Sequence, residues 1–524
     1  MRATLLRRHF SSSTYTLPPT IRQLLAPAAV GKGSQTATST NEDADVTVTG
    51  WVKSVRRQKR VSFAVISDGT TSAGLQAVFP NSSLLPKELS NGASVKLTGR
   101  LGKSPGAGQE KELLVEDVKI LGSCDPEAYP IQKQALSHEF LRDNVHLRAR
   151  TASIAAMLRI RHALQRELSS YFEQQGFLHV HTPILTSNDA EGAGETFKLA
   201  KTAEKEPTPA STPLPEHHDE FFGRPAHLTV SAQLHLEAFQ AAMGRVWTLS
   251  PTFRAERSQT SRHLSEFWML EAEWGDLPVG VAGNDHTSGV RGICTFVEGM
   301  LRAAVSNALL VPGSKEDIDV SWVSSMDEKS ELQKKRRQEL EKAILNEERW
   351  KIMTYGEAIL ALEEEYARQL REGGVQFEFK PGWGKSLQSE HEKWLAEVFV
   401  GGPVFVTDYP VDLKPFYMRL NEADGDRQTV ACFDLLVPGI GELVGGSVRE
   451  EREEVLLRRM KESGLWDEEK GLGDYEWYMD LRRYGGSPHV GFGMGFERLI
   501  SWVGGIENVR ECVPMPRWAG RLLL

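Results

Sequence analysis

Arg254, Glu256, Phe267 and Glu271 fall within one stretch, Thr248 to Gly275 (TLSPTFRAERSQTSRHLSEFWMLEAEWG), and their types and spacing suit the handling of a nucleotide. The stretch reads as two strands joined by a polar loop. Residues i and i+2 of a strand share a face, so Arg254 projects with Glu256, and Phe267 projects with Met269 and Glu271. A guanidinium can pair bidentately with phosphate oxygens while an aromatic ring receives a base on its face. The alternative is a solvated surface hairpin, the usual place for Arg and Glu. Trp247, Phe253, Phe267, Trp268 and Trp274 make the stretch too aromatic for that, and it is read as a site wall.

A second anion-handling candidate is GFGMGFERL, where Gly491, Gly493 and Gly495 precede Arg498. It is no dinucleotide fingerprint, because Phe496 stands where GxGxxG needs its third glycine and no βαβ unit surrounds it. The glycines let a ligand or a neighbouring strand come close, and Arg498 in a first helical turn can meet an anion. Glu442 sits in GIGELVGG, too apolar and glycine-rich for an ordinary solvated loop acid. Cys124, Cys294, Cys432 and Cys512 are far apart, with no CxxC pair and no metal-finger spacing, and are expected as free thiols.

These residues need a scaffold, and 524 residues with 40% apolar and 25% charged content suffice for two or three domains. The net charge of -9 gives no global sign of nucleic-acid binding, so such a role must rest on local patches. No uninterrupted apolar run is long enough to span a bilayer, and no membrane role is expected. The first residues differ in kind: Arg2, Arg7, Arg8 and Arg22 accompany a Ser/Thr cluster, and the first acid is Glu42. Residues 1–40 are read as a mitochondrial presequence, ahead of a disordered basic leader or an RNA-binding arm, and the matrix as the destination.

Residues 41–122 hold five short β segments punctuated by Gly, Asp-Gly and Asn-Gly, which predicts a small closed barrel of OB type. Its first turn is crowded by Lys53, Arg56, Arg57, Lys59 and Arg60, with Phe63 next, a recipe for single-stranded nucleic acid. Residues 123–150 are read as a linker. A helical period in Ile154, Met157, Leu158, Leu164, Leu168 and Phe172 stops at Gly176. FLHVHTPIL then reads as a strand that Pro183 must end, bulge or confine to an edge. About 201–219 form a Pro/Thr/Glu tract with too few apolar residues to fold, residues 291–312 look helical, and about 313–350 read as a charged, solvated helical insertion. From Pro403 strands resume: PVFVTDYP, FYMRLN, TVACFDLLVPG and ELVGGSVREE.

In this order the segments resemble the class II aminoacyl-tRNA synthetases and, within them, the asparaginyl enzymes of bacterial and organellar type. The resemblance runs from Val46 to Arg517 through GFLHVHTPIL, DAEGAGETF, FFGRPAHLTVSAQL, PTFRAERSQTSRHLSEFWMLEAE, TDYPVDLKPFYMRLN, VPGIGELVGGSVREER and GFGMGFERL. Aspartyl enzymes share the architecture but carry Lys where this chain has Leu236, and usually Asp where it has Glu271. The implied fold is α+β, an N-terminal OB barrel followed by a catalytic domain (151–524) built on an antiparallel β-sheet flanked by helices.

The resemblance implies ATP and Mg²⁺ as cofactors, L-asparagine and tRNA(Asn) as partners, and a homodimer. It makes Arg254 the α-phosphate ligand, Arg498 the γ-phosphate ligand, and Glu442 a third catalytic group. Arg262 and His263 are expected near the triphosphate, Phe267 on the adenine opposite Arg498, Glu256 at the adenine amino group, and Ser447 close by. Asp434 and Glu442 are the implied Mg²⁺-ATP carboxylates. Glu191, Gln233 and Ser231 are expected around the α-ammonium, Arg449 at the side-chain carbonyl oxygen and Glu271 at the side-chain NH₂. In the barrel, Phe63 should stack on an anticodon base, Gln76 should read a base edge and Arg57 should support the backbone. Arg257, Ala232, Val448 and Met515 depart from the family pattern. Three other readings stay open: an aspartyl enzyme, an ammonia-dependent asparagine synthetase, which has a related catalytic fold but no OB module, and a non-catalytic RNA-binding paralogue.

Overall fold

In a computed structural model of the chain, residues 17–26, 45–106, 109–188, 196–200, 220–258, 260–275, 286–310, 313–325, 331–373, 377–422 and 427–524 are described. They divide into two compact units, the first ending at Ala155 and the second beginning at Ala156.

The first unit is a closed five-stranded barrel. Strand β1 (Asp45–Arg56) alternates inward and outward residues with the period of two that a pleat imposes, burying Val46, Val48 and Val52. Strands β2 (Ser62–Ser67), β3 (Leu75–Phe79), β4 (Ser94–Lys103) and β5 (Lys111–Gly122) close it in the order β1-β2-β3-β5-β4. Closure leaves no free edge, and Ile66, Leu75, Phe79, Val95, Leu97 and Leu113 fill the interior.

One segment corrects the sequence reading. Helix α1 (Ile21–Leu25) lies inside the stretch assigned to the presequence, yet Ile21 and Leu24 are each 1% exposed within the barrel core. Thr20 and Gln23 form a capping box, the Ile21 N–H donates to Asp68 at 2.7 Å, and Lys111 donates to the Leu24 carbonyl at 2.9 Å. The basic composition was legible, but two apolar residues three apart carry too little period to announce a docked helix. Leu24→Ala is expected to destabilise the barrel by about 2 kcal/mol, at the low end for a buried leucine because so short a helix can detach. A chemical-denaturation midpoint equal to that of the parent would show that α1 contributes nothing.

The assigned linker also carries structure: His138–Asp143 is helical, and Leu141 and Val145 are buried.

The second unit is built on an eight-stranded sheet. Its strands are β6 (Leu178–His179), β7 (Arg245–Phe253), β8 (Glu266–Trp274), β9 (Lys351–Thr354), β10 (Val404–Thr407), β11 (Cys432–Val437), β12 (Gly441–Val448) and β13 (Val490–Gly495). Their order is β9-β10-β11-β12-β13-β8-β7-β6. The central pairs are antiparallel as expected, but β9/β10 and β6/β7 are parallel, so the sheet is mixed. The strand expected around Pro183 stops at His179 and forms the edge.

Two further expectations change. The helix His286–Leu310 contains a span long and apolar enough to cross a membrane, but it is half buried, with Ile293, Val297, Met300, Leu301 and Val305 in the core. The charged stretch 313–350 is more than a solvated face. It forms helices Ser314–Ser325 and Glu331–Leu345, which bury Ile318, Trp322, Leu340, Ala343 and Ile344, and the Trp322 indole donates to the Val503 carbonyl at 2.9 Å. The tract 201–219 lies outside the described residues.

Candidate active site

The site floor follows from strand register. Glu271 of β8 stands opposite Gly493 of β13, Gly493 opposite Gly445 of β12, and Gly445 opposite Asp434 of β11. Two adjacent glycines therefore leave a bare strip between two carboxylates three strands apart, about 14 Å at ordinary strand spacing. Each end of the strip has its own chemistry.

At the Asp434 end, cations gather. The β7–β8 hairpin pairs Phe253 with Glu266, so Arg254 and Glu256 leave the strand and sit in the loop, where they still meet at 3.9 Å. The Arg254 guanidinium lies over the Phe267 ring, 5.6 Å from its centroid, and Phe267 packs on Leu264, Val509 and Val513. His263 faces Glu256 at 3.4 Å. Burial lowers the His263 pKa; Glu256 opposes this, while Arg498, Arg262 and Arg254 deepen the shift. Arg262 is held by Glu392 at 3.2 Å and by Ser389. Arg498 occupies the first turn of helix α2 (Phe496–Gly504) and donates to the Glu442 carbonyl at 2.8 Å, with the carboxylate 3.6 Å away. Burial pushes Glu442 up, but Arg498, Lys414, Arg254 and Arg262 outweigh it and leave the carboxyl below its usual range. Its side chain stays 41% exposed. Three arginines around one open carboxylate and a half-buried ring suit a polyphosphate bearing an aromatic base.

Asp434, expected as a metal carboxylate, is itself paired. Both its oxygens accept from Lys414, at 2.8 and 2.7 Å, so its charge is already matched. Burial raises its pKa against that pull. Among the described residues no three His, Cys, Asp or Glu side chains gather as a metal site. Mg²⁺ needs only one or two carboxylates beside phosphate oxygens and water, and Glu442 fits that part, with Asp434 behind it.

At the Glu271 end, the site is buried and hydrogen-bonded. Glu271 accepts from the Ser231 hydroxyl at 2.5 Å and from the Ala232 N–H at 2.8 Å. Gln233 opens the helix Gln233–Met243. Arg449 is pinned by Glu273, through both Nε at 3.2 Å and a second nitrogen, and it donates to Ser447 at 2.6 Å. Burial pushes the Glu273 carboxyl up and Arg449 pulls it back; with both oxygens taking guanidinium hydrogens, the ion pair is the form held. Ser447, expected near ATP, is thus a support for Arg449, fully buried in the row Glu273–Gly491–Ser447. Gly491 is obligatory in that row, because a Cβ there would lie 2.0 Å from a Glu273 oxygen.

Glu191 lies outside the described residues. In the barrel, Arg56 covers the Phe63 ring at 5.2 Å, and Gln76 donates to Glu112 at 3.2 Å. One nitrogen of Arg57, expected to support the backbone, donates to the carbonyls of Pro86, Lys87 and Leu89 and so ties down a turn. Sequence reading missed Glu273, Glu237, Lys414 and Glu392. Only Glu273 had a signal, two residues beyond Glu271 on the same strand face.

An OB barrel ahead of a mixed sheet with this cation-lined floor defines a class II tRNA synthetase. The family of tRNA synthetases class II (D, K and N) matches residues 137–519, and the OB-fold nucleic acid binding domain family matches 46–121. The chain belongs to the asparagine–tRNA ligases of that class. It is 42% identical to the asparagine–tRNA ligase of Treponema denticola over 487 residues, covering 90% of this chain and 95% of that one. With the Rhodopirellula baltica asparagine–tRNA ligase it shares 40% over 525 residues, 98% of each. The crystal structure of asparaginyl-tRNA synthetase from Pyrococcus horikoshii complexed with asparaginyl-adenylate matches with a TM-score of 0.73 and 30% identity, over 92% of this chain and 96% of that one. The chain is an aminoacyl-tRNA ligase of a class that binds ATP.

Proposed function

We propose that the chain activates L-asparagine with ATP and Mg²⁺, transfers it to tRNA(Asn), and does so in the mitochondrial matrix as a homodimer. The observation that carries the reading is one bare glycine floor with Arg254, Arg262, His263 and Arg498 at one end and the buried Glu271, Glu273 and Arg449 at the other.

A carboxylate oxygen of asparagine attacks the α-phosphorus, the bond to the bridging oxygen breaks, and pyrophosphate leaves. Such phosphoryl transfer needs positioning and charge stabilisation rather than a protein nucleophile. Arg254 takes the α-phosphate oxygens as charge builds there, while Arg498, Arg262 and His263 hold the outer phosphates, and Phe267 stacks the adenine. Glu442 would hold Mg²⁺, which when bound offsets phosphate charge. At the other end Gln233 receives the α-ammonium, with Ser231 beside it, and Glu191 is proposed as its second acceptor. Arg449 donates to the side-chain carbonyl oxygen, and Glu271 accepts from the side-chain NH₂. A ribose hydroxyl of the tRNA end then attacks the acyl carbon and AMP leaves. The barrel presents Phe63 and Gln76 to the anticodon. That module favours a tRNA acceptor over ammonia.

Exposed Leu178, Ile184 and Leu185 beside the β6 edge support self-association there. The basic leader supports import, and removal ahead of Thr20 would keep Ile21 and Leu24 in the barrel core. Purified protein should catalyse asparagine-dependent ATP–pyrophosphate exchange and charge organellar tRNA with asparagine rather than aspartate; no exchange with asparagine rejects the reading. A reporter bearing residues 1–40 that stays in the cytosol rejects the location, and a monomer by light scattering rejects the dimer.

A further inference from the structure

We infer that Glu237 is a positioning residue that aims the Gln233 side chain at the α-ammonium of the amino acid. The inference rests on the reading of this pocket as the amino-acid end of the site.

Gln233 and Glu237 are four residues apart at the start of the helix Gln233–Met243, and so share a face one turn apart. The Gln233 Nε2 donates to Glu237 Oε1 at 3.1 Å. Glu237 is 1% exposed and has a full set of donors besides. The Tyr478 hydroxyl lies 2.9 and 2.7 Å from its oxygens, Arg482 donates at 2.9 Å, and His489 Nε2 lies at 3.0 Å. Burial pushes this carboxyl up, yet Arg482, His489 and Arg449 hold it well below the usual carboxylate range, so it is ionised.

An ionised carboxylate can only accept hydrogen bonds, whereas a glutamine amide has one donating and one accepting end. Glu237 therefore decides which end of Gln233 faces it. The NH₂ is captured, and the carbonyl oxygen is left as the end for a ligand; among the described residues nothing donates to it. A carbonyl oxygen suits an ammonium group. An amide turned by 180° would offer N–H hydrogens to N–H hydrogens and repel it. Glu237 never touches the substrate in this scheme, and acts through Gln233 alone.

A purely structural hub would also bind Arg482 and Tyr478, so the test must separate the two roles. In asparagine-dependent ATP–pyrophosphate exchange, Glu237→Gln should raise the KM for asparagine about tenfold or more, with kcat and the KM for ATP within about threefold. In a Gln233→Ala background the same change should add nothing to the KM for asparagine, because the group it aims is gone. Equal increments in both backgrounds, or an unchanged KM in the parent, overturn the inference. If Glu237→Gln does not fold, Gln233→Glu decides. Glu237 would drive that carboxylate away and raise the KM about tenfold, whereas without this role a carboxylate would bind the ammonium better and lower it. Failure of the parent protein to exchange with asparagine removes the functional reading itself, and is distinct from these outcomes.

Discussion

Arg254→Ala should lower kcat for adenylate formation by about 10²–10³, the usual cost of deleting one donor aimed at developing transition-state charge. The expectation follows from where the guanidinium sits. It leaves β7 at the mouth of the loop, lies over Phe267, and faces the Glu442 carboxylate whose pKa it helps to depress. Its tie to Glu256 at 3.9 Å, with the Arg254 side chain 29% exposed, is of the partly solvated kind that contributes little to stability. Loss of activity should therefore come without a comparable loss of folding. Arg254→Lys should recover only part of the rate, since an ammonium supplies the charge but not the planar fork. Single-turnover adenylate formation in all three proteins is the measurement. An alanine variant within about threefold of the parent rate would place the phosphate elsewhere.

The local half of this architecture was legible and the long-range half was not. A period of two put Phe267, Met269 and Glu271 on one face of β8, and the glycines of GFGMG announced a close approach. What they approach needed the pairing of β8 with β13, whose chains lie more than two hundred residues apart in sequence. Only that register shows Gly491 making room for Glu273, and Gly493 and Gly445 baring the floor. The same limit hid the partners of Ser447 and Asp434, each matched by a cation that pattern reading cannot bring to it. The partners of Arg57 were hidden too, because a basic turn gives no sign that one guanidinium nitrogen is taken up by three carbonyls. For α1 the failure was compositional: four arginines in the leader outweighed two core residues.

Glu271→Gln should collapse the preference for asparagine over aspartate, and this is the larger consequence of the buried end of the site. A pocket that hydrogen-bonds a particular polar group can reject the analogue lacking it by about 10⁴ or more, because its own buried groups are then left unpaired. On the proposed reading Glu271 is such a group. Ser231 and Ala232 hold it in place, and an ionised carboxylate so placed accepts from an amide NH₂ but repels a carboxylate. Arg449 does not overturn that balance, because Glu273 already takes two of its nitrogens and pairs its charge. A glutamine at 271 keeps the volume and an oxygen for the Ala232 N–H, so the pocket should survive. Its new NH₂ can donate to aspartate and no longer needs a donor from the ligand. The ratio of kcat/KM for asparagine to that for aspartate should then fall by about 10² or more in ATP–pyrophosphate exchange. An unchanged ratio would move the discrimination away from Glu271, leaving Arg449 and its Glu273 clamp as the groups to vary next.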